Sequence, residues 1–228
     1  EYNRRLFAVV STRYDVVTRL LSFCQDRRWK RYLHRQLPAS PVRTVLDLAT
    51  GTGDLAFAVS GSYPDAAVVG VDLTPEMLQR ARRRARRLGL EEGRVSFDLG
   101  DMAALRYDEE TFDLVTAGYA LRNAPDLQLA ISSAYRVLRH GGRLAILDFS
   151  HSSKPLLSRL QIGLLRFWGT VWGALLHGNG EVYGYIAESL ERFPSQDELE
   201  SRLLNGGFRR ARSRPFFFGL IAVTIAVK

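Results

Sequence analysis

Two rhythms of apolar residues alternate along the chain. Short apolar runs, each closed by a glycine or a carboxylate, stand between longer stretches where apolar residues return every three or four positions. The short runs have the length of buried strands, and the longer stretches the spacing of amphipathic helices. Residues 45–49, 67–72, 94–99, 111–118 and 144–149 predict five strands in this alternation. Strands that alternate with helices argue for a parallel sheet. Residues 208–213 and 219–227 predict two closing strands, with their turn near Pro215.

The helical stretches differ in what they leave exposed. Phe7, Val10, Tyr14, Val17, Leu20, Leu21 and Cys24 make one stripe, and Trp29, Tyr32, Leu33 and Leu37 continue it up to a break at 38–41. This segment reads either as a lid over a ligand site or as a helical pair packed on the sheet. Met77, Leu78, Ala81, Ala85 and Leu88 face a core, which leaves Arg80, Arg82, Arg83, Arg84, Arg86 and Arg87 on a solvated face. The helix after Asp126 is expected to run through Leu138 and to end at Gly141-Gly142. Residues 155–176 are mostly apolar and carry Phe167, Trp168 and Trp172. Arg159, Arg166 and Gln161 interrupt that run, so it reads as an amphipathic or interfacial helix rather than a membrane span, the alternative being a cap helix whose tryptophans are core. Gly178-Asn179-Gly180 closes the insertion. Ser195 and Glu198 predict a capping box for a last helix, which Gly206-Gly207 terminates.

Composition narrows the class. The chain has 228 residues, enough for one α/β domain with a cap. The formal charge of +8 favours an anionic partner or surface. A lone cysteine, Cys24, forms no internal disulfide. With no leader visible, a reduced cytoplasmic protein is expected.

The candidate chemistry gathers at strand ends. Gly51-Thr52-Gly53 follows the first strand and opens a helix, where unpaired N–H groups meet a ligand. Asp72 ends the second strand about 20 residues on, the spacing of a ribose-binding carboxylate. Asp101 and Met102 follow the third strand, where they are placed to meet an adenine ring. Arg122 and Asn123 follow the fourth strand and are placed toward a reacting centre. The loop alone fits either a dinucleotide or S-adenosylmethionine. Acidic Asp47 and Asp54 on either side of it favour the sulfonium ligand over a pyrophosphate. A nicotinamide-dependent oxidoreductase, an RNA methyltransferase suggested by the arginine run, and a non-catalytic partner are the competing readings.

The segments LDLATGTGDLA, GVDLTPEML, TFDLVTAGYALRNAPD, RVLRHGGRLAILDFS and YGYIAESLERFPSQDEL resemble the ubiquinone/menaquinone biosynthesis C-methyltransferases almost end to end. The resemblance implies a Rossmann-like class I methyltransferase fold: a seven-stranded, mostly parallel sheet with an antiparallel last strand. It divides 1–228 into a helical lid (1–41), a cofactor-binding core (42–150), a substrate- and membrane-facing insertion (151–194) and a closing helix and hairpin (195–228). It implies methylation of a prenylated hydroquinone carbon, such as that of demethylmenaquinol, with a benzoquinol-type acceptor as the alternative. Carried onto this sequence, the cofactor contacts are Thr52, Asp72, Asp101, Met102 and Gly118, and the reading of the loop and strand ends adds Asp47, Gly51, Gly53 and Leu73. The chemistry of such a methylation assigns Arg122 and Asn123 to orienting the ring hydroxyls, Arg122 also to favouring the phenolate, and Tyr185 and His151 to relaying the proton; no metal ligands are expected. Peripheral contact with an anionic membrane and no nucleic acid are expected, and a homodimer is compatible with it. The departures are Thr18, Cys24, Gly118, Tyr119-Ala120 and His140.

Overall fold

A computed structural model describes residues 25–38, 41–90, 93–177 and 184–228. The expected N-terminal stripe through Cys24, with Thr18, and the Gly178-Asn179-Gly180 closure lie outside the described residues.

The described chain begins with helix α1 (Asp26–Gln36). Strand β1 (Thr44–Leu48) leads through the glycine loop into α2 (Asp54–Ser62). Then come β2 (Ala67–Asp72), α3 (Pro75–Arg87), β3 (Val95–Leu99) and β4 (Phe112–Gly118). A 3-10 turn (Leu121–Asn123) precedes α4 (Leu127–Val137) and β5 (Leu138–Phe149). The insertion holds α5 (Pro155–His177) and α6 (Gly184–Arg192); α7 (Gln196–Asn205), β6 (Arg210–Phe216) and β7 (Ile221–Val227) close the chain.

The strands form one sheet in the order β3-β2-β1-β4-β5-β7-β6. The first five pair in parallel, and β7 runs antiparallel between β5 and β6. The expected seven-stranded, mostly parallel sheet with an antiparallel last strand is therefore present. Its central strands are apolar on both faces because helices cover both: Val45, Leu46, Leu48, Leu114, Val115, Leu144 and Leu147 have essentially no exposure.

Two boundaries differ from expectation. Helix α4 ends at Val137, and Leu138 to Gly142 already belong to β5. Gly141, at φ +76°, bends that strand rather than capping the helix. Pro215 lies inside β6 opposite Ala222, not in the turn. Because β6 is the sheet edge, a missing N–H costs no ladder bond on its open side. The reversal is a 3-10 turn at Phe217–Gly219, with Phe217 and Phe218 in left-handed backbone.

Helix α1 packs on the sheet: Trp29 and Leu33 are buried, and its end is tied down by Arg143 Nη1 donating to the Gln36 carbonyl at 2.6 Å. The described part of the N-terminal segment is thus a packed helix, and the lid expectation rests on residues 1–24, outside the described part. Ser195 N–H donates to Glu198 Oε2 at 2.8 Å, completing the expected capping box.

Candidate active site

The glycine loop is built by backbone geometry that side chains resist. Gly51 and Gly53 hold φ of +56° and +81°, and Ala49 is left-handed at +47°. A Cβ on Gly53 would stand 2.6 Å from the Phe57 ring, whereas one on Gly51 would meet nothing within 4 Å among the described residues. Gly53 therefore lets the loop close on α2, and Gly51 borders open space. The Thr50 N–H donates to the Val71 carbonyl at 2.9 Å and stitches the loop to β2.

Asp72 joins that loop to its own strand end. Its Oδ2 accepts from Gly51 N–H and its Oδ1 from Thr74 N–H, both at 2.8 Å. Burial pushes the carboxyl above its usual range, and these donors pull part of the shift back. Thr74 stands at the N-cap of α3 with Pro75 behind it, as expected, but makes no side-chain cap bond. The Thr74 side chain and the Leu73 N–H also donate to this carboxylate, so four donors hold it in place at the strand end.

Apolar walls flank this carboxylate. Leu73 follows it and is 46 % exposed. Leu99, its register partner on β3, is 60 % exposed. Sequence reasoning missed Leu99, because only the strand register sets it beside Asp72. Gly100 N–H donates to the Asp72 carbonyl at 3.0 Å, which brings Asp101 and Met102 to the same end of the sheet. Asp101 Oδ1 accepts from Ala103 N–H at 2.9 Å, and Met102 is buried.

The two acidic residues around the glycines have different fates. Asp47 is 1 % exposed and lies beneath the loop. The Thr50 and Thr116 hydroxyls donate to its two oxygens, each at 2.6 Å. Burial raises its pKa to about 6 despite those bonds. Asp47 therefore shapes the loop and supplies a field from below. Asp54 was expected to attract a cationic ligand, but Lys30 bonds one of its oxygens and Arg84 Nη2 the other, at 3.1 Å. Burial opposes its ionisation, and the two cations outweigh burial and hold its pKa below the ordinary value. Arg84 also lies 5.1 Å from the Phe57 ring centroid, so part of the arginine run packs on the loop's helix.

The exit of β4 forms the other wall. Gly118 has Leu55 Cδ2 3.3 Å from where its Cβ would be, and Tyr119 follows at φ +56°. The Arg122 side chain is 2 % exposed. Its Nη1 donates to Asp148 Oδ1 and to the Tyr119 carbonyl, both at 2.8 Å, and its guanidinium carbon sits 5.0 Å from the Phe149 ring centroid. Burial pushes the Asp148 carboxyl up, and Arg122 pulls it part of the way back. Arg122 thus braces the strained turn from inside. Asn123 Nδ2 donates to the Tyr119 carbonyl at 3.3 Å, while its buried Oδ1 has no hydrogen-bond donor among the described residues. Tyr185 lies on α6, which packs against this turn, though its side chain is outside the described part. Both His151 ring nitrogens are engaged, Nε2 by the Phe193 carbonyl at 2.9 Å and Nδ1 by Ser158 Oγ at 3.0 Å. His151 therefore latches the insertion to the loop before α7.

All of these groups gather at the carboxyl ends of the parallel strands, where open α/β sheets bind ligands. Among known proteins, the family model described as the ubiE/COQ5 methyltransferase family matches residues 1–228. The demethylmenaquinone methyltransferase of Thermus thermophilus is 38% identical over 221 residues, covering 96% of this chain and 98% of that one. The mitochondrial 2-methoxy-6-polyprenyl-1,4-benzoquinol methylase of Gallus gallus is 33% identical, with 96% and 81% covered. A solved SAM-dependent methyltransferase from Aquifex aeolicus shares the fold, with TM-score 0.61, 16% identity and coverage of 87% and 88%.

Proposed function

The chain belongs to the ubiE/COQ5 methyltransferase family, and it is as an S-adenosyl-L-methionine-dependent methyltransferase that we propose it acts on a ring carbon of a prenylated hydroquinone. The acceptor we favour is demethylmenaquinol, for which the bacterial relative is named. A benzoquinol is the second reading, because the mitochondrial relative is named for one.

The observation that carries the reading is the seating of Asp72. A carboxylate fixed at a strand end, beside a glycine loop with open space at Gly51, suits a ribose diol. The exposed Leu73 and Leu99 offer walls for a flat ring, and the buried Asp47 favours a cation above it. The residues present therefore fit the donor. Gly51, Thr52, Gly53, Asp72, Leu73, Asp101, Met102 and Gly118 would hold it.

When bound, the donor supplies a sulfonium methyl, an electrophilic carbon that needs no metal or acid to activate it. What the chain must supply is alignment and a route for the phenolic proton. Arg122 acts as a positioning residue: paired with Asp148, it holds the Tyr119 turn in its left-handed form. The Asn123 Oδ1 is the neutral acceptor in that wall, able to take a hydrogen bond from a ring hydroxyl. Tyr185, on the helix against the same turn, is the proposed relay for the proton. The substrate's lipid tail and the basic surplus of the chain also support peripheral contact with an anionic membrane. Among the described residues, no helix is long and apolar enough to cross one.

Mass spectrometry of quinones tests the proposal, using a strain that lacks the quinol-methylating step. Expression of this chain should convert the demethylated quinone to one carrying an extra ring methyl. An unchanged quinone profile, with the protein folded and binding the donor, would overturn it.

A further inference from the structure

The insertion and the last turn leave an unusual surface. On α5, Leu156, Leu160, Leu164 and Phe167 follow one another at intervals of four, four and three, so they share one face of the helix. They are 83 %, 68 %, 44 % and 61 % exposed. The two tryptophans that the sequence suggested for this role, Trp168 and Trp172, are partly buried instead. Beside this face stands the β6–β7 turn. Gln161 Nε2 donates to the Phe218 carbonyl and holds the turn against α5. The Phe218 side chain projects at 87 % exposure, from left-handed backbone that glycine or asparagine adopts at lower cost. A large apolar group kept in a strained, solvent-facing turn is a mark of a contact surface.

Charge borders the patch. A recess of about 360 Å³ runs between Leu157 and Phe218 and includes Pro215. Pro215 also lines a second groove, of about 520 Å³, together with Arg212 and Arg214. Lys154, just before α5, and Arg159, on it, are exposed beside the leucines, while Asp197 is the acidic side chain in the recess. Strand β6 points the same way as β5, so the Phe218 turn lies at the carboxyl end of the sheet. That is also the end where Asp72 and the glycine loop stand.

We propose that the α5 face of Leu156, Leu160, Leu164 and Phe167, together with Phe218, inserts into the surface of an anionic bilayer, with Arg212, Arg214, Lys154 and Arg159 meeting its headgroups. Apolar side chains ringed by cations match the layered chemistry of such a surface. A protein partner or a second copy would match the leucines but gives no use for the basic border. The inference rests on the substrate reading above in one respect: docking at the carboxyl end sets a membrane-held quinol ring near the donor site.

Flotation with phosphatidylglycerol vesicles at low salt tests it, with Leu160→Glu, Phe218→Asp and Arg212→Glu beside the wild type. The wild type should float. Leu160→Glu and Phe218→Asp should each bind about ten-fold more weakly or worse, the loss expected when one large apolar side chain no longer leaves water. Arg212→Glu should weaken binding to these vesicles and leave binding to phosphatidylcholine unchanged. All three should methylate a soluble, tailless demethylmenaquinol analogue at the wild-type rate, which shows that they are folded and loaded. Leu160→Glu and Phe218→Asp floating like the wild type would overturn the proposal. So would Leu160→Glu dissociating a dimer in the absence of vesicles. A wild type that floats but methylates neither that analogue nor a tailless benzoquinol would sink the substrate reading and leave the surface standing.

Discussion

Arg122 Nη1 lies 2.8 Å from Asp148 Oδ1, with both side chains at most 3 % exposed. Such a pair is stabilising only while both partners are present, since either one alone is a buried, uncompensated charge. Arg122→Ala should therefore lower unfolding free energy by about 3–5 kcal/mol, as should Asp148→Ala. Replacing both together with Met and Leu should recover much of that loss. Urea denaturation of the four proteins checks it. Single variants within about 0.5 kcal/mol of the wild type would show that the pair does not brace the turn. Because the pair also supports Tyr119, turnover should fall in the double variant even where stability returns.

The buried Asp47 titrates at about 6 in the folded protein, above the ordinary 3.8. A raised carboxyl binds its proton more tightly when folded, so its contribution to stability is largest at low pH. That contribution is lost as pH rises from about 4 to about 6 and stays constant above that. The full span is on the order of 3 kcal/mol, from about 1.4 kcal/mol per unit. Asp47→Asn should remove this slope, so the difference between variant and wild type should change across pH 4–6 and level off above. Parallel stability curves over that range would count against the buried position of Asp47.

A cationic donor should bind more tightly as Asp47 ionises. Calorimetry with S-adenosyl-L-methionine should show affinity rising between pH 5 and pH 7 in the wild type, with a flatter profile in Asp47→Asn. Equal profiles would mean that the field from below the loop does not reach the ligand.

Asp72 is expected to matter both for the loop and for the ribose. Asp72→Ala should weaken donor binding by about ten-fold or more, the worth of one lost charge-assisted bond. Stability should fall too, because Gly51 and Thr74 lose their acceptor. Donor affinity equal to the wild type's, measured by calorimetry, would remove Asp72 from the site.

The two loop glycines should separate folding from binding. Gly53→Ala meets the Phe57 ring and should destabilise the fold by more than the roughly 1–2 kcal/mol of left-handed strain. Gly51→Ala has open space, so it should lose only about that strain and yet bind the donor poorly. Thermal unfolding and donor calorimetry on both variants check the contrast, and a reversed order would mean that the ligand does not approach Gly51.

Much of the architecture is legible in residue spacing. Apolar runs of strand length, each ending in glycine or aspartate, predict the five parallel strands and place Asp72, Asp101 and the Gly51–Gly53 loop at one end of the sheet. The turn at Phe217–Gly219 was not legible, because proline at an edge strand and phenylalanine in left-handed backbone both run against local preference. Nor was the start of β5 at Leu138: its glycines resemble a helix stop, and only pairing with β4 and β7 extends the strand through them.

The site divides in the same way. Residue order and spacing suffice to say which groups crowd the carboxyl end, because strand ends and glycine turns are local features that alternate with fixed periods. What those groups do there follows from contacts made across the fold. Those contacts drew Asp54 to Lys30 and Arg84, buried Asp47 under two threonines, and closed Arg122 onto Asp148, whose partner lies 26 positions away. A side chain's charge is written in the sequence, but its availability to a ligand depends on which distant groups reach it first.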